Sequence, residues 1–209
     1  MSKTKIKSTH ARQVFDSRGL PTIEVEITLN YNAQGRAIAP TGLSTAIGEA
    51  VELRDKGESF SGLGVNCAIE SVNNKIADIL KGQDASDQSK IDKLLIELDA
   101  TVDKSHLGSN AMIATSMAVA HASASARKIS LWKHLKDIKK SSEEVFLPLP
   151  QIQIFGGGVH ASKRVDIQSY MVVAIGAETF AQALEWSSNV YQAASLLMKK
   201  SGKYLGVAD

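Results

Sequence analysis

Residues 22–29 set the strongest constraint on this chain, because they alternate without a break. Ile23, Val25, Ile27 and Leu29 fall on one face, and Thr22, Glu24, Glu26 and Thr28 on the other. That period of two belongs to a strand with one buried side. Its neighbours extend the pattern. Ala11 to Phe15 reads as a strand ending in Asp16-Ser17-Arg18-Gly19, and Arg36 to Ala39 as a third strand after the turn formers of residues 30–35. Three short strands in succession predict an antiparallel meander.

Helical spacing takes over afterwards. Ile69, Val72, Ile76 and Ile79 recur as on one helix face, and Gly82 closes the run. Ile91, Leu94, Leu95 and Leu98 mark a shorter helix. Asn110 to Arg127 is a helix dominated by alanine and serine, whose small side chains admit a neighbouring helix at close range. His121 within it reads as a packed or surface histidine, since no second ligand type stands four residues away. Residues 136–144 are polar and charged and read as a linker, dividing an α+β domain (1–140) from a second region (141–209). In that second region Val145 to Phe155 is apolar with two prolines, Gly156-Gly157-Gly158 follows, and Ile167 to Ile175 is a strand candidate. Thr179 to Lys200 is an amphipathic helix with Phe180, Leu184, Val190, Tyr191, Ala194, Leu197 and Met198 on one stripe, closed by Gly202, and Tyr204 to Val207 opens another apolar segment. Two strands, one helix and the start of a third strand do not close a sheet, and open edges invite pairing, so the region reads as incomplete.

The 24 basic and 22 acidic residues nearly cancel, a balance that favours neither nucleic acid nor a membrane surface. No stretch reaches the length of a membrane span. A lone cysteine, Cys67, forms no internal disulfide; it reads as a small buried residue in a protein of a reducing compartment. The expected setting is the cytoplasm.

Two loops bear chemistry. Gly156-Gly157-Gly158-Val159-His160 is a flexible turn before a histidine, suited either to close backbone approach to a ligand or simply to joining two strands. Pro40-Thr41-Gly42-Leu43-Ser44-Thr45 is rich in hydroxyls. It suits an anion or a hard metal bound through oxygen, or equally a helix N-cap with Glu49 and Glu52 in the first turns.

Taken together the motifs resemble the enolase family. Ala11-Arg12-Gln13-Val14-Phe15-Asp16-Ser17-Arg18-Gly19 followed by Pro21-Thr22-Ile23-Glu24-Val25-Glu26 is similar to that family's opening. Gly42 to Thr45 and Glu49 to Asp55 resemble its mobile loop and the helix after it. Leu107-Gly108-Ser109-Asn110-Ala111, Pro148-Leu149-Pro150, Gly157-Gly158-Val159-His160-Ala161 and Val165-Asp166-Ile167-Gln168 follow in the family's order. The resemblance implies an α+β N-terminal domain, with a three-stranded antiparallel meander plus helices, followed by the beginning of an enolase-type α/β (TIM-like) barrel. It implies a lyase that dehydrates 2-phosphoglycerate to phosphoenolpyruvate in glycolysis with Mg2+, commonly as a dimer. Thr41 matches the loop serine that ligates the second magnesium; His160 and Gln168 match residues that close over or flank the substrate.

Four positions depart from that pattern. Ser169 stands where the family has a glutamate that handles the leaving water. A serine is no acid or base of matching pKa, and such a loss typically costs roughly 10²–10⁴ in rate. Gly156 replaces an asparagine, Leu20 another, and Ala46 a glycine. The family's later acidic ligands and lysine base fall beyond Asp209, so the 209 residues alone are expected not to turn over. Two other readings follow: a divergent superfamily lyase acting on a phosphonate or related phospho-acid, and a non-catalytic truncated paralogue serving as a binding partner.

Overall fold

The computed structural model describes residues 3–42, 46–161, 163 and 165–203, with the side chains of Val159 and His160 excepted. The chain divides into two compact units, Met1–Ser141 and Ser142–Asp209.

In the first unit, β1 (Ile6–Phe15), β2 (Pro21–Leu29) and β3 (Gln34–Ile38) form an antiparallel sheet in the order β1-β2-β3. This is the meander the alternation predicts, with β1 starting five residues earlier than Ala11. Ile23, Val25, Ile27 and Leu29 are all fully buried. The opposite face is less open than the alternation suggests, because Thr22 and Glu24 are also buried. Glu24 is sheltered by cross-strand partners, Arg12 on β1 (2.6 Å) and Arg36 on β3 (3.3 Å). On the β1 edge the Asn73 side chain accepts from the Ala11 N–H (2.7 Å) and donates to its carbonyl (3.1 Å). At Ala11 the edge groups are thereby satisfied within the chain.

Helix follows sheet: α1 (Asn66–Ser71), a π-helical turn (Val72–Ile76) and α2 (Ala77–Leu80) make the run closed by Gly82, and α3 (Gln88–Asp99) and α4 (Ser109–Arg127) complete the second layer. The alanines of α4 do admit a close neighbour, but it is the sheet rather than a helix. A Cβ on Gly35 of β3 would lie 2.1 Å from the Ala122 nitrogen and 2.3 Å from the Ala118 carbonyl oxygen. Residue 35 is glycine because backbone meets backbone there.

Three expectations need correction. Residues 49–55 form no helix. They form no regular element and are tied to 103–110, where the Val51 N–H donates to the Asp103 carbonyl (2.7 Å) and the Ser109 N–H to the Val51 carbonyl (2.8 Å). The Asn110 side chain adds a two-way clasp on Leu53, 3.1 and 3.2 Å. The linker read at 136–144 begins later, since α5 (Leu131–Lys139) runs through its first half around the buried His134. Cys67 is exposed, not buried, because α1 turns Ala68 and Ser71 inward instead.

In the second unit, β4 (Gln151–Gly156) and β5 (Ser169–Val173) pair antiparallel, and α6 (Phe180–Lys200) follows, with the Thr179 side chain accepting from the Gln182 N–H (3.1 Å) as N-cap. This is the strand–strand–helix start of the barrel domain; no closed barrel exists among the described residues. The stripe expected to be the helix's packed face is exposed at Phe180, Leu184, Val190, Tyr191 and Leu197, and α6 buries the small residues Ala183 and Ser187. Tyr204 to Val207 lie outside the described residues.

Candidate active site

The β1–β2 turn builds the first cluster. Gly19 takes a positive φ of 73°, and the Asp16 carboxylate gathers the Leu20 and Arg18 N–H groups (both 2.9 Å) and the Arg18 guanidinium (2.8 and 3.0 Å). The Leu20 amide first, and Arg18 after it, hold the Asp16 carboxyl below the usual carboxylate range. Leu20 therefore serves the turn through its backbone, although its side chain departs from the family pattern. Arg18 also donates to the Thr41 carbonyl (3.0 Å), fastening the turn to the next segment.

Thr41 is held from its other side by Arg54. One guanidinium nitrogen donates to the Pro21 and Leu63 carbonyls, both at 2.7 Å. The other donates to Thr41 Oγ1 and Glu52 Oε2, both at 2.8 Å. The second Glu52 oxygen accepts from the Gly42 N–H (3.2 Å). Arg54 is nearly enclosed, with 13% of its side chain exposed. The sequence alone does not single out Arg54, Glu52 or Arg18. Glu52 and Arg54 meet because residues 49–55 are held out of a helix by their bonds to 103–110, a partner that the local pattern does not reveal. Leu43, Ser44 and Thr45 lie outside the described residues, and Ala46 is exposed at a turn closed by the Glu49 N–H on its carbonyl (3.2 Å).

Asp55, one residue beyond Arg54, caps α1 from a distance by accepting from the N–H groups of Asn66 (3.0 Å) and Cys67 (2.9 Å). Burial raises its carboxyl, but these donors outweigh burial and leave it lowered. Desolvation and then the nearby Asp55 carboxylate push the Cys67 thiol up, away from the thiolate a nucleophile needs.

The second cluster lies at one end of the β4–β5 hairpin. The Gly157 N–H donates to the Gln168 carbonyl and the Gly158 N–H to the Val165 carbonyl, both at 2.7 Å. A Cβ at Gly157 would sit 2.0 Å from the Ile167 carbonyl oxygen, so this glycine is required by close backbone approach. His160 falls in the short 3-10 turn Gly158–Ala161, and its side chain lies outside the described residues. Gln168 is exposed and Ser169 half-buried. Ser169 and Gly156 are direct cross-strand partners. The hairpin thus gathers the Gly157–His160 turn, Gln168 and Ser169 at one end, while Thr41 belongs to the other unit.

A magnesium ion takes about six oxygen ligands. The Thr41 hydroxyl already accepts from a guanidinium, and no group of three or more His, Cys, Asp or Glu among the described residues could hold a metal ion. The donors gathered at Thr41 do not by themselves fit the ion.

Residues 6–135 match the family model described as enolase, N-terminal domain, and residues 144–208 that of the enolase C-terminal TIM barrel domain. Over 209 residues the chain is 46% identical to Enolase 1 of Desulfitobacterium hafniense, covering 100% of the chain and 47% of that protein. It is 44% identical to Enolase 2 of Pseudomonas syringae pv. syringae (99% of the chain, 48% of the relative). With the enolase of Tropheryma whipplei it shares 43% identity over 205 residues (98% of the chain, 47% of the relative). The chain spans about half the length of the curated relatives it matches. The two models in this order, over the meander and then the opening hairpin and helix, establish that the chain belongs to the enolase family.

Proposed function

We propose that the protein carrying this chain is a lyase that dehydrates 2-phosphoglycerate to phosphoenolpyruvate with Mg2+, in the cytoplasm and as a dimer. One observation supports this above the others. The turn Gly157-Gly158, the His160 position and Gln168 are brought to one hairpin end by backbone hydrogen bonds that tolerate only glycine at residue 157. In this reading His160 and Gln168 contact the substrate, Ser169 lines its site, and Thr41 contributes a hydroxyl to the second magnesium. The ion's chemistry is neutralisation of the charge that develops when a proton next to a carboxylate is lost. This chain's own part is to orient that acid and shield it from water. No helix among the described residues is long and apolar enough to cross a membrane.

A second reading has its own observation. Gly156 and Ser169, two departures from the family pattern, face each other in the ladder. Directly opposed side chains stand about 4.5–5.5 Å apart. The two changes therefore act on one spot, where they remove bulk and a carboxylate, which favours a phosphonate or related phospho-acid as substrate.

Following enolpyruvate absorbance with 2-phosphoglycerate and magnesium, in the full-length protein that carries this chain, separates the readings. A rise supports the first. No rise from folded protein, with binding of a phosphonate acid, moves the function to the second. Ser169→Glu should then raise activity on 2-phosphoglycerate, and an unchanged rate would show that residue 169 does not limit it.

A further inference from the structure

Helix α5 has two unlike faces. His134 is buried, and Leu131 and Ile138, three residues before it and four after it, are half-buried on the same inward side. At about 100° per residue, Lys139, Trp132 and Lys136 stand side by side on the outer arc, with Leu135 on one flank and Lys140 and Lys133 on the other. Trp132 is 57% exposed and Leu135 48%. A helix face that meets water alone mixes charges of both signs. This arc sets lysines around an indole and carries no acid. Asp137, the single acid of the helix, lies off the arc and pairs with Arg127 (2.5 Å). Residues 127–140 hold six lysine or arginine side chains against that one acid, more positive charge than the whole chain retains at +2. The near-cancellation over the chain therefore hides a local excess.

We propose that this face of α5 is a peripheral docking surface for an anionic lipid membrane, with the helix lying flat upon it. Indole and leucine side chains suit the boundary between headgroups and acyl chains, while lysine stems extend to the anionic headgroups. Each lysine near such a surface is worth roughly five-fold in affinity, so the four on the arc together supply about 10²–10³-fold. Nine residues make a helix about 13 Å long, which rests on a bilayer and does not cross it. Nucleic acid or an acidic polypeptide would pair with the lysines but offer Leu135 no apolar phase, which favours lipid. The inference is independent of the reaction proposed above.

The test is co-sedimentation of the full-length protein that carries this chain with two kinds of vesicle, phosphatidylcholine alone and an equal mixture of phosphatidylcholine and phosphatidylserine. The protein should sediment with the mixture alone, and about 1 M salt, which screens charges within about 3 Å, should release it. Replacing Lys133, Lys136 and Lys139 together by glutamine should weaken binding about a hundred-fold. Brominated acyl chains should quench tryptophan emission in the unmodified protein, and Trp132→Phe should remove that quenching. Should the triple variant not fold, the quenching comparison decides. No sedimentation, equal sedimentation with both vesicles, full binding by the triple variant, or quenching that survives Trp132→Phe would each overturn the proposal. Binding of RNA or polyglutamate without sedimentation would assign the face to another partner and overturn it as well.

Discussion

His134 provides a sharp test of the packing around α5. It is 1% exposed, and its Nδ1 lies 3.0 Å from an Arg127 guanidinium nitrogen. A guanidinium only donates, so Nδ1 must accept and the ring's proton sits on Nε2. Nε2 is buried without a hydrogen-bond partner among the described residues. Burial, and then the Arg127 charge, push the His134 pKa below its ordinary 6.5, with Asp137 opposing only in part. In the unfolded chain the same ring takes up a proton near pH 6.5. Below that pH the unfolded state binds a proton that the folded state refuses, so stability falls as the pH drops from 6.5 towards the lowered folded value. If the folded ring stays neutral throughout, the loss between pH 7 and 5.5 approaches about 1.2 kcal/mol. The lowered carboxylates, Asp16, Asp55, Asp84, Asp99 and Asp103, titrate at more acidic pH, below this window. Urea denaturation at pH 7 and 5.5 of the unmodified chain and of His134→Leu isolates the contribution. The loss of stability between pH 7 and 5.5 should be smaller in His134→Leu, by at most that amount. Parallel pH dependence in the two proteins would refute the neutral, Arg127-paired ring.

Two further substitutions probe the first unit. Gly35→Ala forces a methyl onto the α4 backbone at 2.1 Å and should destabilise by about 1–3 kcal/mol or more in urea denaturation. Asn110→Ala removes both clasping bonds on Leu53 and should speed amide exchange at Leu53 while costing about 1–3 kcal/mol.

The meander was legible because its evidence is local. Every residue from 22 to 29 announces its face, and the structure buries the four apolar ones completely. Helix α4 was legible for the same reason, and the glycine turn of the hairpin gave its position, though not its reason. Residues 49–55 misled because the acidic residues at 49 and 52 suit a first helical turn equally well. Their backbone groups instead bond to 103–110, some fifty residues away, and nothing in the local pattern reveals that partner. The stripe on α6 misled differently: apolar spacing identifies a helix, while the exposure of Leu184 and Leu197 depends on what packs against it.

At the candidate site the same division holds. The sequence by itself determined the family, the strand of residues 22–29 and the identity of Thr41, Gln168 and Ser169, since each is a matter of residue type and short spacing. Only the tertiary structure decided that Gly156 and Ser169 are one spot, because register is set by pairing between strands. Only it decided that Thr41 answers to Arg54, because a side-chain hydrogen bond between distant residues follows from where the backbone is tied down, and Asp103, Ser109 and Asn110 do the tying.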